Sequence, residues 1–331
     1  MMYSQKPLLS FFLDGKVPNE SGMPIHIETV ISNVFLFPER VNKIYKDDNT
    51  FFNQHFRDIS DRATRFAFTK SDFEWNQQLS PELYLVLRAV KAGNNGVEYG
   101  DSPEQTEELV CITKRMPEST SFFSVLHRHE LDTDDFASIG KQFGLRETQA
   151  VFQDAPIETF ADNVMTRVHD AENWVSDGVL DEWVSSRELQ QWLAYLRTTA
   201  AALVEDKTQT LDFCFDLHSL NAFYVEGTLI PFDTSPPKES WRFGPTAINA
   251  YRLATDIRVY AGEAAYQSFL SGYTSTSTRP PLKPDEERLW VVYASLIMIQ
   301  YLFFLGKTDP DKLSASHAYL AFLRAFHPVT R

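Results

Sequence analysis

Residues 211–234 read LDFCFDLHSLNAFYVEGTLIPFDT, and Asp216, Asn221 and Asp233 follow one another in this stretch at intervals of five and twelve. Two short β-like runs, FYVEG and LIPF, lie between Asn221 and Asp233, so Asp233 stands just past the end of the second. Hard cations take oxygen ligands, and phosphoryl transfer uses one carboxylate to orient an attacking hydroxyl and an Asn with a second Asp to hold Mg²⁺ on phosphates. The spacing fits that donor set. It fits an Asp-Leu-His turn without chemistry equally well, and spacing alone leaves both readings open.

On the N-terminal side the pattern is strands, helix, strands. Residues 24–46 (PIHIETVISNVFLFPERVNKIYK) are dense in β-branched and aromatic residues around Pro38-Glu39-Arg40 and predict a β-hairpin. Residues 58–79 predict one amphipathic helix or two short ones, stopped at Ser80-Pro81 because proline disfavours helical geometry before it. LYLVLRAVKA and VEYGD flank the turn signal Gly93-Asn94-Asn95-Gly96, and a further strand, LVCITKRM, ends at Pro117.

From residue 118 onward long helical stretches dominate, such as 181–206, and Thr274 to Pro284 (TSTSTRPPLKP) predicts an exposed loop. Leu289 to Leu305 holds 17 residues without a charge, just short of the roughly 18–20 that a membrane helix needs. Tyr293, Ser295, Gln300 and Tyr301 interrupt it, so it is read as a buried helix, with a membrane span as the alternative. The fold class is α+β in two lobes, a sheet-rich one over residues 1–117 and a helical one over 118–331.

Thirty-one Lys and Arg against 45 Asp and Glu give a net charge of −14, which repels nucleic acid and anionic membranes and favours cationic ligands. The expected partner is a small molecule, with no nucleic acid and no membrane. Cys111 and Cys214 are the two cysteines, too few for a disulfide framework or a Cys-rich zinc site, and fit a cytoplasmic setting. The early apolar run LLSFFL is too short for a signal-peptide core. His127-Arg128-His129-Glu130 invites a metal reading, which is set aside because its His residues are two apart and no third ligand is evident.

At this point the sequence resembles a family, the kinase-like aminoglycoside phosphotransferases and their relatives of unassigned substrate. Their catalytic loop reads H-G-D-x-H-x-x-N, and Cys214 to Asn221 keeps its Asp, second His and Asn. IETVISNVFLFPERVNKIYK resembles the family's E-T-H-I-S-x-V-F-L…V-Y-K strands, FEWNQQLSPELYL its L-R-L-N-R-R-L-A-P-E-L-Y-L helix end, and ITKRMPE its hinge. The likeness runs in order over about residues 24–275, which makes it more specific than any single motif.

The resemblance implies a protein-kinase-like fold and transfer of a phosphate from ATP or GTP, with Mg²⁺, to a hydroxyl of a small molecule, an aminoglycoside or other aminosugar among them. It makes Asp216 the base or positioner of that hydroxyl, and Asn221 and Asp233 the Mg²⁺ ligands. Lys43 takes the α- and β-phosphates, and Asp72 stands where the family has the Glu that pairs with this Lys, with Glu74 as fallback. The hinge from Ile112 through Lys114 to Met116 offers backbone groups to the base. His218 belongs to the nucleotide-binding set as a brace of the loop.

Departures are equally legible. Cys214-Phe215 replaces His-Gly, Asp72 is one methylene shorter than Glu, Pro236-Pro237 closely follow Asp233, and the final helices lack the basic V-R-A-K-V pattern. The competing expectation is therefore a nucleotide-binding pseudokinase that works through a protein partner. Asp256, in ATDIRVY, is expected to serve as a structural hydrogen-bonding residue. Cys214 is expected to be an inert buried thiol, and Trp174, Trp183 and Trp192 core packing.

Overall fold

The computed structural model describes residues 5–100, 106–152, 156, 158–205, 210–279 and 282–327. The chain forms two compact units, Met1–Thr120 with Ile230–Glu239, and Ser121–Leu229 with Ser240–Arg331. The division read from the sequence falls at residue 117; here the first unit also regains the stretch that carries Asp233.

The first unit opens with α1 (Lys6–Leu13), whose Leu8 and Phe12 are fully buried. Its strands are β1 (Ile25–Glu28), β2 (Ser32–Leu36), β3 (Arg40–Tyr45), β4 (Tyr84–Ala92), β5 (Val97–Gly100) and β6 (Glu108–Lys114). They build an antiparallel sheet in the order β1-β2-β3-β6-β4-β5. Residues 24–46 thus hold three strands rather than one hairpin. The turn between β1 and β2 contains neither Gly nor Pro: the Thr29 amide donates to the Ser32 carbonyl at 2.9 Å, and the Thr29 hydroxyl accepts from the Ser32 amide at 3.0 Å.

Alternation along β3 sorts the two sheet faces. Ile44 packs with Phe35, Val110, Ile112 and α1 in one core cluster. Lys43 and Tyr45 share the opposite face, where Tyr45 clusters with Phe52, Ile59 and Phe68. Phe52 lies on α2 (Thr50–His55) and Phe68 on α3 (Arg62–Leu79). Residues 58–79 give one helix, capped where the Asp61 side chain accepts from the Thr64 amide and ended at Ser80 before the proline.

The second unit is mainly helical, with α4 (Phe122–Arg128), α5 (Thr133–Gln149), α6 (Phe160–Val175), α7 (Ser186–Leu203), α8 (Ala247–Thr276), α9 (Pro284–Gly306) and α10 (Pro310–Phe326). β7 (Leu211–Phe213) pairs with β10 (Phe243–Pro245), and the hairpin of β8 (Ala222–Val225) and β9 (Thr228–Pro231) follows the Asp216 loop. Within 181–206 the helix begins only at Ser186, because Ser185 caps it by accepting from the Glu188 amide and the preceding residues turn; Asp206 lies outside the described residues.

The stretch 274–284 is also less loop-like than its composition predicts. α8 continues to Thr276, and the Arg279 side chain is held by Asp212 and Glu147; Pro280 and Pro281 lie outside the described residues. The apolar helix α9 is long enough to cross a membrane, yet 72% of its apolar window is buried in protein, as the sequence reading expects of a core helix.

Two features of α8 set its course. A Cβ on Gly140 of α5 would overlap the Phe269 carbonyl oxygen, and one on Gly272 would overlap that of Ala137, so the two helices meet backbone to backbone. Midway, Gly262 leaves helical geometry at φ 86° and ψ −177°, a conformation that glycine adopts without penalty, and divides α8 in two.

Candidate active site

In the first unit the charged groups gather on the face of β3 that carries Lys43. Lys43 Nζ donates to Asp233 Oδ1 at 2.6 Å and lies 4.7 Å from the centre of the Tyr45 ring. Asp72, buried on α3, makes no ion pair with Lys43; its Oδ2 accepts from the Tyr45 hydroxyl at 2.8 Å and its Oδ1 from Asn76 Nδ2 at 3.1 Å. Glu74, the fallback partner, is exposed on the other side of the helix and pairs with Lys70.

Asp233 sits in left-handed backbone geometry at φ 51°, which a short polar residue tolerates better than most. Its amide donates to the Tyr84 hydroxyl at 2.9 Å, and Asn76 Oδ1 accepts from the amide and hydroxyl of Thr234 at 2.7 and 3.0 Å. Burial pushes the Asp72 carboxyl up to about 6 against the opposing pull of Lys43. Burial also works against the Lys43 ammonium, but the Asp233 and Asp72 carboxylates outweigh it and hold that group above its ordinary value. Lys43 is a fixed positive charge. Cys111, paired with Lys43 across the strands, is kept neutral by its burial.

The hinge stretch lies close by in sequence but is differently engaged. Ile112 is in mid-ladder between β3 and β4, with its side chain in the α1-facing core. The Lys114 amide donates to the Leu83 carbonyl and the Arg115 amide to the Glu39 carbonyl, both at 2.9 Å. Met116 follows the end of β6.

In the second unit, Asp216 Oδ1 accepts from Arg252 Nη2 at 3.2 Å, and Asn221 Nδ2 donates to the Asp216 carbonyl at 2.9 Å. Burial raises the Asp216 carboxyl, but Arg252 and His218 more than offset this and hold it below the usual carboxylate range. Asp256 is fully buried; it accepts from the Ser219 amide at 2.6 Å and from the Tyr319 hydroxyl, which gives it the structural role expected of it. Phe215 is buried and its amide donates to Asn249 Oδ1 at 2.8 Å, so the bulky residue before Asp216 is accommodated in the core. His218 is buried and its ring packs edge-on near Tyr301. Cys214 is buried and its thiol is pushed up by that burial.

Among the described residues no three His, Cys, Asp or Glu side chains form a metal-binding group. A phosphate-bound Mg²⁺ needs only one or two protein donors of hard character, and Asp233 and Asn221 are of that kind. His127 donates through Nδ1 to the Phe123 carbonyl and packs on Phe123 and Tyr260, so its ring is used in packing.

Sequence reading did not assign Tyr45, Tyr84, Asn76, Thr234, Asn249 or Arg252 to the site. Tyr45 and Asn76 were within reach of it, because residues two apart on a strand and four apart on a helix share a face, which joins Tyr45 to Lys43 and Asn76 to Asp72. The others answer to contacts between distant segments.

No family model matches this sequence, and no curated protein matches it. Solved structures do match. A choline kinase from Cryptosporidium parvum Iowa II is 10% identical, with 98% of each chain covered and a TM-score of 0.53. A choline/ethanolamine kinase family protein from Mesorhizobium loti is 14% identical, covering 94% of this chain and 90% of its own, with a TM-score of 0.51. An aminoglycoside phosphotransferase from Streptomyces rimosus aligns at 13% identity over 89% of this chain and 99% of its own, with a TM-score of 0.47. The first two alignments establish a kinase-like fold for this chain, the fold that its motifs predict.

Proposed function

We propose that this protein transfers the γ-phosphate of ATP or GTP to a hydroxyl of a small molecule, with Mg²⁺ as the metal. The observation that carries the reading is the meeting of Lys43 and Asp233, 190 residues apart in sequence, at 2.6 Å, with Asp72 buried behind them on Tyr45 and Asn76. The kinase-like fold and the retained Asp216 and Asn221 support it.

In this reading Lys43 secures the α- and β-phosphates, and Asn221 and Asp233 hold the metal. When bound, Mg²⁺ supplies neutralisation of the charge on the phosphates. Asp216 orients the acceptor hydroxyl. The acceptor oxygen bonds to the γ-phosphorus while the bond from that phosphorus to the β–γ bridging oxygen breaks, its electron pair leaving on the nucleoside diphosphate; the hydroxyl proton passes to Asp216. A carboxylate held below its ordinary range is a weak base, which suits a loose transition state that needs positioning more than proton removal. Ile112 to Met116 border the base, and His218 braces the loop.

The acceptor class we favour is a cationic amino alcohol or aminosugar. Of the kinase-fold neighbours, one is described as a choline kinase and one as a choline/ethanolamine kinase family protein, and the net charge of −14 favours cations. A rival reading, nucleotide binding without transfer, draws on the contact that ties one oxygen of Asp216 to Arg252.

Calorimetric titration of ATP and GTP with and without Mg²⁺, using Asp233→Ala as control, tests the reading. Metal-dependent binding lost in the variant supports it, and absence of binding to the wild type overturns it. A screen of amino alcohols and aminosugars follows. Turnover abolished by Asp216→Ala supports transfer, an active Asp216→Ala protein overturns the mechanism, and bound nucleotide without any turnover favours the rival.

A further inference from the structure

Three side chains on one face of α8 grip the loop that carries Asp216. Asn249 takes the Phe215 amide, Arg252 the Asp216 carboxylate and Asp256 the Ser219 amide, at 2.8, 3.2 and 2.6 Å. Their spacing of three and then four residues is that of a single helix face. Asn249 and Asp256 hold main chain. Arg252 acts on a side chain.

The guanidinium is itself firmly seated. Arg252 is 7% exposed, its Nη1 lies 3.5 Å from the Ala294 carbonyl oxygen of α9, and Asp256 stands one turn further along the helix. Asp216 is in the opposite condition at its second oxygen: its side chain is 36% exposed, and Oδ2 has no hydrogen-bond partner among the described residues. The terminal torsion of an Asp side chain is broad and roughly two-fold, so a carboxylate without such a contact exchanges its oxygens freely.

We infer that Arg252 is a positioning residue, which pins Oδ1 of Asp216 and presents Oδ2 to the acceptor hydroxyl. This rests on the phosphotransferase reading above. A misplaced reacting group costs about a hundredfold in rate even when binding is intact. The role is specific to the guanidinium, because its donor reaches the carboxylate from a buried site on a rigid helix.

The test compares wild type, Arg252→Ala, Arg252→Lys and Asp216→Ala in turnover of Mg·ATP, with water as acceptor and with any acceptor from the screen. The expected result for Arg252→Ala is a kcat lower by roughly a hundredfold, with the ATP KM within about threefold of wild type. Added guanidinium ion should restore part of the rate to Arg252→Ala and none to Asp216→Ala, and Arg252→Lys should keep an intermediate rate. Wild-type or higher kcat in Arg252→Ala overturns the inference alone, the higher rate marking Arg252 as a restraint on the site. A loss of kcat accompanied by an equal rise in KM, without guanidinium rescue, assigns Arg252 a merely structural part and overturns it too. Absence of turnover in the wild type overturns the parent reading, and this inference with it.

Discussion

Tyr45 donates its hydroxyl to Asp72 Oδ2 at 2.8 Å, and this bond, with the one from Asn76, takes the place of a direct pairing between Asp72 and Lys43. The side chain one methylene shorter than Glu is therefore held by its own donors, while Lys43 turns to Asp233. The shortening leaves no unpaired carboxylate behind.

Tyr45→Phe removes one of those donors, and its effect should depend on pH. Asp72 has a folded value raised to about 6, so its favourable contribution is complete below the ordinary carboxylate range and is lost as pH rises through about 6. Loss of the tyrosine hydroxyl hurts the ionised form more than the protonated one. The variant should lose about 1–3 kcal/mol at pH 8 and less at pH 5, read from urea unfolding at both values. Equal losses at the two pH values would show that the hydroxyl does not serve the carboxylate.

Asp256→Ala leaves the Ser219 amide and the Tyr319 hydroxyl without their acceptor in a fully buried site. Unfolding free energy should fall by about 2–4 kcal/mol, since each stranded donor carries its desolvation penalty. Tyr319→Phe takes the donor from one oxygen of Asp256 but leaves the bond from the Ser219 amide in place, and should cost less. Urea midpoints measure both, and an Asp256→Ala midpoint equal to wild type would remove this residue from its bracing role.

Gly272→Ala puts a methyl group onto the Ala137 carbonyl where α5 and α8 meet. Helix propensity alone would make the substitution stabilising, by about 1 kcal/mol. Overpacking should win and lower stability by about 1–3 kcal/mol. A thermal midpoint above wild type would show that the helices separate freely enough to absorb the added carbon.

Much of this was legible in the sequence. Asp216, Asn221, Asp233 and Lys43 stand in segments whose residue order repeats a known pattern, and Gly93 to Gly96 closes the hairpin that its composition announces. The missed turn at Thr29 to Ser32 shows one limit: hydroxyl side chains can close a turn without Gly or Pro, and composition gives little sign of it. Thr274 to Thr276 shows another, because packing of α8 on α5 carries the helix into residues with a loop-like composition. Arg252 shows the third. Its role depends on which face of α8 meets the Asp216 loop, and a relation between segments 36 residues apart leaves no local mark.

The break at Gly262 returns the two ends of α8 to one residue of α5. Glu147 accepts from Asn249 Nδ2 on the first half and from the Tyr273 hydroxyl, at 2.6 Å, on the second. Twenty-four residues of unbroken helix would hold those two side chains about 36 Å apart, so the meeting depends on the glycine's departure from helical geometry. Asn249 also takes the Phe215 amide, and a length change in the distal half that unseats Tyr273 would reach the loop of Asp216 through a single shared carboxylate.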